Sequence, residues 1–162
     1  ISAFSLSQDI GVTVAEAKAY MEAYFATFPG VRRYMDDVVA QAKERGYVET
    51  LFHRRRELPE IRSSNFNMRS FGERVALNMP IQGTAADIMK LAMVAVEKRL
   101  KRELPEAKLV LQVHDELIVE CPEPQAAAAA KLLEEEMGQV AHLSVPLTAE
   151  AYWGRNWLEA KG

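Results

Sequence analysis

Apolar residues recur at helical intervals over most of this chain and at strand intervals over only a few short stretches. Thr13-Val14-Ala15-Glu16 is a capping box, and Val14, Ala17, Met21, Tyr24, Phe25 and Phe28 follow it on one predicted helical face. Pro29-Gly30 breaks that run. A second helix follows, with Val31, Tyr34, Met35, Val38, Val39 and Ala42 on one side and Gly46 as its stop. Ser63 or Ser64 is placed to cap a third helix reaching Met79, which Pro80 should kink or end. Thr84 then reads as the N-cap of a fourth, with Asp87 near the positive end of its dipole. Ile88, Leu91, Ala92, Ala95 and Leu100 form its apolar face, and Lys98, Arg99, Lys101 and Arg102 read as a solvated end matched to the dipole. After Pro122 and Pro124, an alanine-rich run continues into Leu132, Leu133 and Met137, which predicts a helix to about Val140.

Period-two patterning is scarcer. Tyr47–Phe52 is strand-like and leads into Arg54-Arg55-Arg56, so a hairpin or extended loop is expected there. Val145–Tyr152 reads as a final strand. The clearest case is Leu109 to Glu120, where two β-prone runs meet at His114-Asp115 with no glycine or proline between them. That predicts a hairpin whose tight connection carries an imidazole and one or two carboxylates. Helices plus a small antiparallel sheet define an α+β chain.

The 162 residues suffice for one core and contain no apolar run long enough to span a membrane. The start has neither a basic nor an apolar leader and no methionine, so a piece of a longer protein is expected. A single cysteine, Cys121, fits a reducing cytoplasmic setting and a packing role. Net charge is −3, but it is uneven: Lys43 to Arg74 carries eight basic and five acidic residues, and the remainder carries −6. A basic middle between acidic ends is the footprint expected of a polyanion partner.

Three groups can do chemistry. Arg74, Asn78 and Gln82 lie four apart, on one helical stripe if the helix persists, and can donate to acceptors present in the minor groove of every base pair. Arg54-Arg55-Arg56 presents planar guanidinium forks suited to phosphate oxygens, so the cluster is either solvated or bound to anions. Asp115 offers a hard oxygen ligand on a rigid ribbon, suited to Mg2+. Glu116, its strand neighbour, should face the other way. Two-metal phosphoryl chemistry needs a second carboxylate, and Asp9, Asp36, Asp37 and Asp87 all fall in predicted helices or caps. One cysteine and three scattered histidines do not make a zinc site, and neither a P-loop nor a GxSxG elbow is present.

Taken in order, Gly46-Tyr47-Val48-Glu49-Thr50-Leu51-Phe52, Arg54-Arg55-Arg56, Asn78-Met79-Pro80-Ile81-Gln82-Gly83-Thr84-Ala85-Ala86-Asp87 and Val113-His114-Asp115-Glu116 strongly resemble family A DNA polymerases, the bacterial DNA polymerase I enzymes. The likeness runs through to Gly154-Arg155-Asn156-Trp157. It implies the C-terminal part of a right-hand polymerase, with residues 1–80 mainly fingers helices and a connecting hairpin, and 81–162 mainly palm. By this resemblance Asp115 is the motif C catalytic aspartate that helps hold two Mg2+ ions, and Glu116 is the neighbouring acid. His114 sits beside the primer terminus, and Arg74, Asn78 and Gln82 contact the duplex minor groove. The implied partners are primer–template DNA and a dNTP, in the bacterial cytoplasm at the nucleoid.

The chain also departs from the family pattern. Motifs A and B, with the other metal-binding aspartate and the triphosphate contacts, are absent from these residues, so the isolated chain is expected to be inactive. Self-association through exposed palm surface is expected for the same reason. The alternative is a non-catalytic duplex-binding module; a small metal-dependent phosphohydrolase lacks its partner carboxylate. His53 stands where the family commonly has glycine, so a positive φ there would strain it.

Overall fold

A computed structural model describes residues 1–161. The chain is α+β and divides into two compact units, Ile1–Glu49 with Arg55–Pro80, and Thr50–Arg54 with the residues from Ile81 onward.

In the first unit, helix α1 (Ala3–Ile10) is capped by Ser2, whose hydroxyl accepts from the Ser5 N–H, and ends at the left-handed Gly11. The sequence pattern had given no bounds for a helix there, although Asp9 was assigned to a helix or cap. Helix α2 (Val14–Thr27) opens with the expected capping box: Thr13 Oγ1 accepts from the Glu16 N–H at 3.2 Å, and Glu16 Oε2 accepts from the Thr13 N–H at 2.9 Å. Its apolar face is largely at the surface, because only Ala17 is buried while Val14, Tyr24 and Phe28 are each about half exposed. Helix α3 (Pro29–Arg45) starts with proline, whose missing N–H costs nothing in a first turn. It stops at Gly46, where φ is +85° and a side chain would be strained. Arg62 donates to the carbonyls of Lys43 and Glu44, satisfying orphan acceptors at that end.

Strands β1 (Tyr47–Glu49) and β2 (Arg55–Glu57) pair antiparallel, with Glu49 opposite Arg55. A 3-10 turn over Pro59–Arg62 follows. The core gathers Ala42, Val48, Leu58, Ile61 and Ala76, with Val38, Val75 and Met79 packed against it. At Gly72 an added Cβ would lie 2.8 Å from the Ile61 nitrogen, so this close crossing admits no side chain.

Helix α4 is continuous from Phe66 to Glu103, and Pro80 lies inside it. This corrects the expectation of one helix reaching Met79 and another starting at Thr84. Asn65, not Ser63 or Ser64, caps it: Asn65 Oδ1 accepts from the N–H groups of Asn67 and Met68. Thr84 is therefore an interior residue, not an N-cap, and Asp87 has no helix N-terminus near it. Proline inside a helix costs about 3 kcal/mol. Tertiary packing along the helix, including buried Ala76, Ala92, Val96 and Leu100, outweighs that penalty.

The second unit continues with β3 (Lys108–Val113) and β4 (Glu116–Glu120), an antiparallel pair with an irregularity between Leu109 and Leu111. Helix α5 (Ala126–Gln139) and the short α6 (Trp157–Ala160) complete the unit. Val96, Leu100, Ala107 and Leu132 form its core, and Cys121 packs against it as expected. Arg99 bridges from α4 to Glu135 and Glu136 of α5, at 2.7 and 3.1 Å. The basic end of α4 is thus partly a tertiary clamp, not solely a solvated terminus. Val145–Tyr152 forms no strand. A strand needs a ladder partner, whereas the Ala151 N–H is bound by the Glu134 carboxylate of α5.

Candidate functional site

The β3–β4 connection is two residues long, since Val113 pairs with Glu116 and only His114 and Asp115 lie between them. His114 has φ +52° while Asp115 does not enter the positive region. Those signs match a type II′ hairpin turn, whose first central position usually holds glycine. Histidine there is strained, and such strain concentrates at functional sites. The Gln112 side chain braces the turn, its Nε2 donating to the His114 carbonyl at 2.6 Å.

His114, Asp115 and Glu116 are all exposed. Asp115 belongs to the turn and Glu116 begins β4, so the alternation expected of two strand neighbours does not apply to them. Among the described residues neither carboxylate has an ion-pair partner. Both line a broad groove with Met89, Leu133, Trp153 and Trp157. No three His, Cys, Asp or Glu among the described residues converge to hold a metal ion.

The arginines behave differently. Arg54 donates from Nε to Asp87 Oδ1 at 2.6 Å, and its Nη2 reaches the same oxygen. Thr50 Oγ1 donates to Asp87 Oδ2 at 2.8 Å. The Arg54 guanidinium and then the Thr50 hydroxyl hold the Asp87 carboxyl below the usual aspartate range, against the opposing effect of burial. Arg55 pairs with Glu49 at 2.6 Å and stacks over the Tyr47 ring at 4.5 Å. The sequence offered two fates for this cluster, solvent or a bound anion; for Arg54 and Arg55 the fold supplies internal carboxylates. His53, just before them, has φ +61°, the condition under which histidine in place of glycine is strained.

Arg74, Asn78 and Gln82 are all exposed on α4 at four-residue intervals, and Arg74 Nη1 donates to Ser70 Oγ at 3.1 Å. Arg74 and Asn78 belong to the first unit and Gln82 to the second. Sequence reasoning missed Thr50, Thr84, Asp87 and Gln112. Periodicity held no signal for Asp87, which lies on the opposite side of α4 from Val96; its burial comes from the loop that brings Thr50 and Arg54 onto it.

The chain belongs to DNA polymerase family A, whose family model matches residues 1–159. It is 51% identical over 161 residues to DNA polymerase I of Streptococcus pneumoniae, and equally to that of Geobacillus stearothermophilus. The figure is also 51%, over 160 residues, for DNA polymerase I of Pseudomonas aeruginosa. Each match covers 99% of this chain but 18% of the relative, so the chain spans under a fifth of their length. Among solved structures, the POL domain of Pol1 from M. smegmatis, in complex with DNA primer-template and dNTP, matches with a TM-score of 0.94 and 45% identity. That match covers 99% of this chain and 28% of the other.

Proposed function

We propose that these residues are the C-terminal part of a DNA-directed DNA polymerase, acting in template-directed nucleotidyl transfer to a primer 3′-hydroxyl. The observation that carries this reading is the strained, braced turn that presents Asp115 and Glu116 without an internal cation. Residues 1–80 are read as mainly fingers and 81–162 as mainly palm, a division supported by the boundary between compact units at Pro80 and Ile81.

Asp115 suits Mg2+ by its donor chemistry: one hard carboxylate at an exposed turn, of the kind that binds this ion together with substrate phosphates. It is one part of a donor set that needs a second carboxylate. The chemistry a bound metal pair would supply is a lowered pKa at the primer hydroxyl and neutralised charge on the leaving phosphates. Asp115 would hold the metal, Glu116 would add negative charge beside it, and His114 would orient the primer terminus. Arg74, Asn78 and Gln82 test the minor-groove shape of the duplex without reading its sequence. Arg54 and Arg55 are read as phosphate contacts through the donors their carboxylates leave over.

The 162 residues alone are inactive on this reading, which places the enzyme in the bacterial cytoplasm at the nucleoid. Exposed Val110 and Leu111 on β3 and Leu91 and Val94 on α4 support self-association of the isolated chain. The test is primer extension with Mg2+ and dNTPs by the chain alone and by the chain mixed with a segment carrying motifs A and B. Activity confined to the mixture and lost in Asp115→Ala is the expected result. Extension by the chain alone refutes its inactivity; duplex binding with no extension in either sample leaves the non-catalytic module.

A further inference from the structure

Asp87 is the only buried charged side chain among the described residues, 4% exposed. Burial of a carboxylate is unfavourable unless its oxygens are bonded, and here both are. Oδ2 accepts from Thr50, while Oδ1 accepts from Nε and Nη2 of Arg54. The loop carrying Arg54 is fastened at further points. Thr50 Oγ1 accepts from the N–H groups of Phe52 and Arg54, each at 3.2 Å, and Thr84 Oγ1 accepts from the Leu51 N–H at 3.0 Å.

An ion pair with one exposed partner adds little net stability, so the main consequence of this arrangement is direction. A guanidinium is a flat fork, and Asp87 takes its Nε side. That leaves Nη1 and the outer edge of a side chain that is 53% exposed. Lys90, exposed one turn beyond Asp87, bears on the same carboxylate. Arg54, Lys90 and Asp87 together carry net positive charge, as an anion contact requires.

We propose that Asp87 is a positioning residue that holds Arg54 with its outer guanidinium edge toward a phosphate of the bound nucleic-acid backbone, an extension that rests on the polymerase reading. The test is anisotropy of a labelled DNA duplex with the chain across a salt series. Arg54→Ala and Asp87→Asn should each weaken binding by about tenfold. Each should also make the log–log salt slope shallower by about 0.9, the value for one phosphate contact, and the double variant should lose no more than either single one.

An Asp87→Asn variant with lowered Tm but wild-type slope overturns the positioning role, as does a wild-type slope in Arg54→Ala. If Asp87→Asn does not fold, Arg54→Lys decides, because lysine cannot bridge a carboxylate and a phosphate as a flat fork; unchanged affinity overturns the proposal. A wild-type chain that binds no duplex at low salt overturns the polymerase reading and this inference together. Binding with unaltered slopes in the variants removes this inference alone.

Discussion

The loop around Arg54 and the turn around Asp115 receive opposite treatment from the same fold. Each carries a histidine at positive φ just before a charged residue, His53 at +61° and His114 at +52°. In the loop the charge is answered internally, because Asp87, Thr50 and Thr84 secure both the guanidinium and the backbone. In the turn the charges are left open; the one brace, from Gln112, holds a carbonyl and not a carboxylate. The contrast separates two uses of charge. A charge satisfied inside the chain orients its partner, whereas one left unsatisfied at a rigid tip is available to an external ion.

Substitution at Asp115 tests the open half of this contrast and should have the largest effect. Asp115→Ala should lower primer extension in the complemented enzyme by on the order of a thousandfold. Its stability should stay within about 0.5 kcal/mol of wild type by thermal melting, since the residue is exposed and unpaired. A large loss of Tm would instead give Asp115 a structural role.

Asp87→Ala tests the closed half. It strands the Thr50 hydroxyl and the Arg54 guanidinium and should cost about 2 kcal/mol, read by denaturant titration. The same carboxyl sets an acid dependence whose sign follows from its depressed pKa. Folding favours the ionised form, so its contribution is complete above the ordinary value of 3.8 and fades as pH falls through the lower folded value. Melting temperature below about pH 4 should therefore fall more steeply in wild type than in Asp87→Asn. Parallel curves would show that Asp87 is not coupled to folding.

His53→Gly should have the smallest effect, relieving left-handed strain and raising stability by no more than about 1 kcal/mol. His114→Gly should do the same for the turn while weakening primer extension in the complemented enzyme. If His114→Gly leaves extension intact, the imidazole contributes nothing beyond the turn geometry.

Much of this molecule was legible as one-dimensional pattern. The Thr13–Glu16 capping box, the break at Pro29, the Gly46 stop and the two-residue hairpin at His114-Asp115 each depend on groups a few residues apart, and each formed as read. The order of the polymerase motifs was enough to place the chain in its family. The apolar side of α2 was marked by periodicity, which does not show whether anything covers it, and most of it lies at the surface.

Local chemistry determined the α2 capping box, the Gly46 stop and the hairpin turn, because those features close within the reach of neighbouring side chains, and the order of the motifs determined the family. Only the tertiary structure decided that α4 runs through Pro80, that Val145–Tyr152 finds no strand partner, and that Arg54 is claimed by a carboxylate 33 residues away. The reason is energetic. Burial along a 38-residue helix outweighs a local proline penalty, and a polar group once buried must take whichever partner the packing brings to it.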